Sequence, residues 1–91
     1  MDRITQKHLE GLCNVLNTLT NNPLDPYVKN IKEYKQNVGN YHIDSAYGGV
    51  KLCQMLEHGT KDISTIGYAP KRELYEWIRA YISGIEIAHN R

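Results

Sequence analysis

The stretch "YHIDSAYGGVKLCQMLE", residues 41–57, decides the fold. Its first six residues alternate. Tyr41, Ile43 and Ser45 share one side of an extended chain, and His42, Asp44 and Ala46 share the other, because successive strand side chains point to opposite faces. Gly48 and Gly49 follow. Glycines supply positive φ at little steric cost, so the segment reads as a strand entering a hairpin turn. Residues 50–57 stay open between two readings. As a strand they set Val50, Leu52 and Gln54 against Lys51 and Cys53, while the apolar set Val50, Leu52, Cys53, Met55 and Leu56 suits a short helix equally.

Working outward, two helices bracket this element. In residues 5–20, Leu9, Leu12, Cys13, Leu16 and Leu19 recur on one helical stripe. Thr5 is placed to cap the helix, and Ile4 and Leu9 to staple its start. "NNPLDP", residues 21–26, ends it, since Pro23 and Pro26 forbid continuation. At the far end, Leu74, Trp77, Ile78, Tyr81, Ile82 and Ile85 form the clearest amphipathic pattern of the chain, with Pro70 suited to the first helical position. Residues 27–38 read as irregular structure with one short strand, and residues 57–69, "EHGTKDISTIGYA", as a long loop. The expectation is one small α+β domain over residues 1–91: an N-terminal amphipathic helix, a small antiparallel β element (a hairpin), and a C-terminal amphipathic helix.

The totals narrow the function. A chain of 91 residues makes one compact domain and buries only about 60–65% of its unfolded surface, so a homo-oligomer is expected. The net charge of +1 offers no field for nucleic acid, which is an unlikely partner, and no acidic surface that mimics it. No apolar run is long enough to span a membrane, and "MDRITQKHLEG" lacks the apolar stretch of a secretion signal, which makes the cytoplasm the expected location. Cys13 and Cys53 read as free thiols. His8, His58 and His89 share no ligand spacing, so neither a metal nor a cofactor is expected. Seven tyrosines stand beside one tryptophan and no phenylalanine, and most of them read as amphipathic cover for a thin core.

Two constellations carry chemistry. His42 and Asp44 share a strand face, which is half of a general-base arrangement without a third group, or a structural or ligand-contacting pair. An enzyme is therefore the least favoured reading. Lys71 and Arg72 stand in the first turn of the last helix, where cations oppose the macrodipole. Two cations beside free N–H groups make an anion site, and phosphate is the usual anion there. The plain alternative is a solvated end with Arg72 paired to Glu76. Tyr47 or Tyr68 could stack on a planar ring, and Gly48 and Gly49 would let the backbone approach a ligand, although a Gly-Gly turn alone reads equally as a plain hairpin.

The residues "NVGNYHIDSAYGGVKLCQM" (37–55) and "PKRELYEWIRAYISGI" (70–85) resemble a family of small proteins encoded by bacteriophages and prophages. Tyr41, His42, Asp44, Ala46, Tyr47, Gly48 and Gly49 match its YHxDxAYGG pattern, and Pro70, Arg72, Glu73, Leu74 and Tyr75 its later segment. The resemblance runs from about Ile4 to Ile85. The loop at 57–69 departs from the family's glycine-richer version. The resemblance implies no catalytic role. It implies a phage accessory protein acting in the cytoplasm of the infected bacterial host. The leading expectation is a non-enzymatic anti-defence protein that sequesters a phosphate-bearing nucleotide signal, using His42, Asp44, Tyr47, Gly48, Gly49, Tyr68, Lys71 and Arg72. The alternatives are a protein-binding, anti-CRISPR-like inhibitor of a host defence effector, and a phage regulator that binds nucleic acid.

Overall fold

The computed structural model describes residues 3–25, 27–29 and 34–89. Helix α1 spans Gln6–Leu19. Strands β1 (Tyr27–Lys29) and β2 (Tyr34–Gln36) pair with each other, and β3 (Tyr41–Ala46), β4 (Gly49–Leu56) and β5 (Gly59–Asp62) form a separate antiparallel sheet in that order. Helix α2, Lys71–His89, closes the chain. The α+β architecture with a helix at each end and a central hairpin is as expected. No helix among the described residues is long and apolar enough to cross a membrane.

Local chemistry starts α1 where the sequence suggests. Thr5 caps α1, its hydroxyl accepting from the His8 N–H at 3.4 Å while His8 Nδ1 accepts from the Thr5 N–H at 3.0 Å. This is a capping box with histidine in the place usually held by Glu or Gln. The α2 helix begins one residue later than expected, at Lys71. Pro70 sits just outside it and lends its carbonyl to the Leu74 N–H at 3.1 Å.

Both helices cover one face of the β3–β4–β5 sheet. Leu9, Cys13 and Leu16 from α1, Leu74, Ile78 and Ile82 from α2, and Tyr41, Val50 and Leu52 from the sheet form one buried cluster, which Ile4 joins. Truncating a core leucine of this kind costs about 2–5 kcal/mol. Trp77 stacks on Tyr81 at 5.2 Å, and Tyr81 meets Tyr41 edge-on at 6.3 Å, so the aromatics seal the margin of the core. Burial and the Tyr81 hydroxyl push the Tyr41 phenol up to about 12.

Three expectations are corrected. First, the hairpin turn is Tyr47–Gly48, with φ of +54° and +74°, and Gly49 is already the first residue of β4. Both central residues of this turn type need positive φ, and it matches the right-handed twist of the strands. Residues 50–56 are thus strand, and no helix forms there. Second, residues 57–69 are not one long loop. Glu57–His58 turn the chain into β5, and the remainder stays fastened to β4. Leu52 bonds the Ile63 N–H and the Ser64 hydroxyl, and Val50 exchanges two bonds of 2.9 Å with Ala69. Third, the segment read as irregular with one short strand holds two paired strands, β1 and β2. The part of that reading on residues 30–33 lies outside the described residues.

Candidate functional site

The hairpin register builds the sheet face that the helices leave uncovered. With the turn at Tyr47–Gly48, Asp44 stands opposite Lys51 and His42 opposite Cys53, and Cys53 in turn faces Asp62 on β5. The Ala69 bridge brings Tyr68 onto this group. Its hydroxyl donates to Asp44 Oδ2. Lys51 Nζ lies 2.9 Å from Asp62 Oδ1 and 4.5 Å from the centre of the Tyr68 ring. The bond to Asp44 raises the Tyr68 phenol pKa, and the bond to Asp62 raises that of Lys51. This network ties three segments of chain together around Tyr68.

Gly49 makes the arrangement feasible. A Cβ there would stand 2.9 Å from the Tyr68 carbonyl carbon and 3.0 Å from the Ala69 nitrogen, both backbone atoms that cannot step aside. The requirement at Gly49 is space, whereas at Gly48 it is the left-handed conformation.

Tyr47 sits at the tip. Its ring packs edge-on against Tyr68 at 5.4 Å, yet the residue is 94% exposed. The turn thus holds a large aromatic in the left-handed region, where Asn or Gly is the usual occupant, and displays it to solvent. Two residues past Ala69, α2 begins with Lys71 and Arg72, both exposed.

The fold therefore gathers Asp44, Tyr47, Gly48, Gly49 and Tyr68, and starts α2 with Lys71 and Arg72 directly after the Ala69 bridge. His42 is not part of that group. Although it shares a strand face with Asp44, no hydrogen bond joins the two among the described residues, and Asp44 accepts from the Tyr68 hydroxyl. His42 instead helps line a groove of about 370 Å³ between α1 and β3, with Gln6, Glu10, Asn14 and Asp25 among its other walls. Among the described residues its buried Nδ1 has no hydrogen-bond partner. Burial lowers the imidazole pKa, against the opposite pull of the Asn40 carbonyl and the Asp44 carboxylate. Unfolding then favours protonation. The His42 contribution to stability is full above the unfolded value near 6.5 and is lost as pH falls through that value toward the folded one. The urea midpoint of the protein is expected to drop between pH 7 and pH 5, and His42→Gln to flatten the drop.

Lys51 and Asp62 were not singled out by the sequence. The signal for Lys51 is its place opposite Asp44 across the hairpin, visible only once the turn is set at 47–48. Both thiols are free and buried, and burial pushes Cys13 up to about 12 and Cys53 up to about 11, so neither is an activated nucleophile. Among the described residues no cluster of three His, Cys, Asp or Glu could hold a metal ion. No protein-family model matches the chain, and neither a curated protein nor a solved structure is similar to it.

Proposed function

We propose that this chain is a non-enzymatic binding protein that takes a phosphate-bearing nucleotide with the β3–β4 turn, the Tyr68 segment packed on it, and the start of α2 that follows. The observation that carries this reading is Tyr47, 94% exposed at positive φ and braced by Tyr68. Its ring offers a stacking platform for a base, worth about 1–3 kcal/mol in comparable contacts. The first turn of α2 supplies N–H groups and the two cations Lys71 and Arg72 for phosphate. Asp44 and Tyr68 form the polar flank, and Gly48 keeps the tip free of bulk. His42 lines the groove beside α1 and leaves the proposed site. A second copy of the chain would enclose the ligand more fully than one open surface can.

The resemblance to phage-encoded proteins supports an anti-defence setting in the infected cell, with the nucleotide serving as a host signal. A protein-binding inhibitor is the second reading, favoured by the exposed apolar side chains of Val15, Leu24 and Tyr47.

Thermal melting against nucleotides, including cyclic dinucleotides and cyclic ADP-ribose derivatives, separates the two. A ligand at a hundred times its Kd adds about 2.7 kcal/mol, or roughly 10 °C in a domain of this size. The shift is expected to vanish in the Lys71→Ala, Arg72→Ala double variant, and Tyr47→Ala is expected to weaken binding about tenfold. A flat screen would sink the nucleotide reading and leave the protein partner.

A further inference from the structure

β3 is an edge strand. On β4, the backbone groups of Val50 and Leu52 turn away from β3, toward Ala69, Ile63 and Ser64. Their partners on β3, Ser45 and Ile43, therefore turn their own N–H and C=O groups outward, away from β4. Tyr41 has the same orientation, and its outward groups are satisfied. The buried Asn17 carboxamide accepts from the Tyr41 N–H at 2.7 Å and donates to the Tyr41 carbonyl at 3.0 Å. That side chain imitates the peptide group of a neighbouring strand for one residue and then stops. Beyond it, no hydrogen bond among the described residues reaches the outward groups of Ile43 and Ser45. The β1–β2 pair does not extend this sheet.

The groove of about 370 Å³ that runs beside this edge has Ile43 in its wall. Its charged side chains are the carboxylates of Glu10 and Asp25, with no lysine or arginine among the lining residues. Neither carboxylate has an ion-pair partner among the described residues. We propose that the edge is a strand-addition site: an extended segment of a partner protein, with lysine or arginine at alternate positions, pairs with Ile43–Ser45 and sets its cations against Glu10 and Asp25. Backbone bonds give such a mode its affinity, and alternate side chains its specificity. A second copy of β3 fits less well. Self-pairing centred between Ile43 and Ser45 would place two Asp44 residues directly opposite each other, and like charges there are destabilising. The proposal does not rest on the nucleotide reading, since Tyr47, Lys71 and Arg72 lie outside the groove.

The test is an amide NMR titration of the whole chain with a capped seven-residue peptide of alternating lysine and threonine. The Ile43 and Ser45 amides are expected to shift and to gain protection from exchange. A glutamate–threonine peptide is expected to bind at least tenfold more weakly. Glu10→Gln with Asp25→Asn is expected to weaken the lysine peptide about threefold or more. Ser45→Pro removes an outward N–H that β4 does not use, which an edge strand tolerates, and is expected to abolish binding with the fold intact. Shifts confined to other surfaces, equal binding of the glutamate peptide, or no binding at millimolar peptide each overturn the proposal. So does protection of Ile43 and Ser45 in the free protein that rises with its own concentration, which would assign the edge to a second copy.

Discussion

Gly49→Ala is expected to lower stability by about 2–3 kcal/mol, the upper range for overpacking against atoms that cannot yield. The added methyl would meet Tyr68 and Ala69 backbone at 2.9–3.1 Å, so the bridge between Val50 and Ala69 must open or β4 must shift. Either movement disturbs Tyr68 and the start of α2 together. In a domain of this size the loss is a fall of about 10 °C or more in Tm. The control is Gly48→Ala one residue earlier. It meets no atom within 4 Å but must adopt φ +74°, which costs about 1–2 kcal/mol. Urea unfolding measures both. Amide exchange at Ala69 and Val50 should quicken in the Gly49 variant and stay slow in the Gly48 variant. Equal losses in the two variants would mean that the close approach of the 68–69 segment is not what Gly49 serves.

Asn17→Leu is expected to cost about 2–4 kcal/mol, although it places an apolar residue in a fully buried position of an amphipathic helix. Leucine has similar bulk but leaves the Tyr41 N–H and C=O without the partners that Asn17 supplies at 2.7 and 3.0 Å. Each buried backbone group left unpaired costs about 1–3 kcal/mol. Asn14→Ala, three residues away and exposed, should change stability by no more than about 0.5 kcal/mol. A stable Asn17→Leu protein would show that water reaches the Tyr41 edge in place of the carboxamide.

Periodicity makes the two helices and β3 legible in the sequence. Leu9, Cys13 and Leu16, like Leu74, Ile78 and Ile82, face the core because nothing competes with their helical spacing. Asn17 escaped notice because an asparagine among leucines gives no sign of being inside. The turn was misplaced by one residue because Gly48–Gly49 is a stronger local signal than Tyr47–Gly48, and only the twist of the finished hairpin admits tyrosine at positive φ. The error matters for the site, since a turn at 48–49 would pair Asp44 with Cys53 instead of Lys51. β5 was hidden for a different reason. Its residues, Gly59–Asp62, are all exposed, so no alternation marks them, and what holds them is the pairing with β4. The gathering of Asp44, Tyr47 and Tyr68 depends on a contact between residues 24 positions apart, from Asp44 to Tyr68, which no local pattern encodes.

The nucleotide proposal requires the tip around Tyr47 and the start of α2 to take the ligand together. The most direct measurement is an amide NMR titration of the folded chain with the nucleotide panel, beside the same titration of the Lys71→Ala, Arg72→Ala variant. The predicted result is saturable movement of the Tyr47, Gly48, Lys71 and Arg72 amides with at least one nucleotide, lost in the variant while the remaining spectrum is unchanged. If every nucleotide leaves those four amides in place, or if their movement survives removal of both cations, the claim is contradicted.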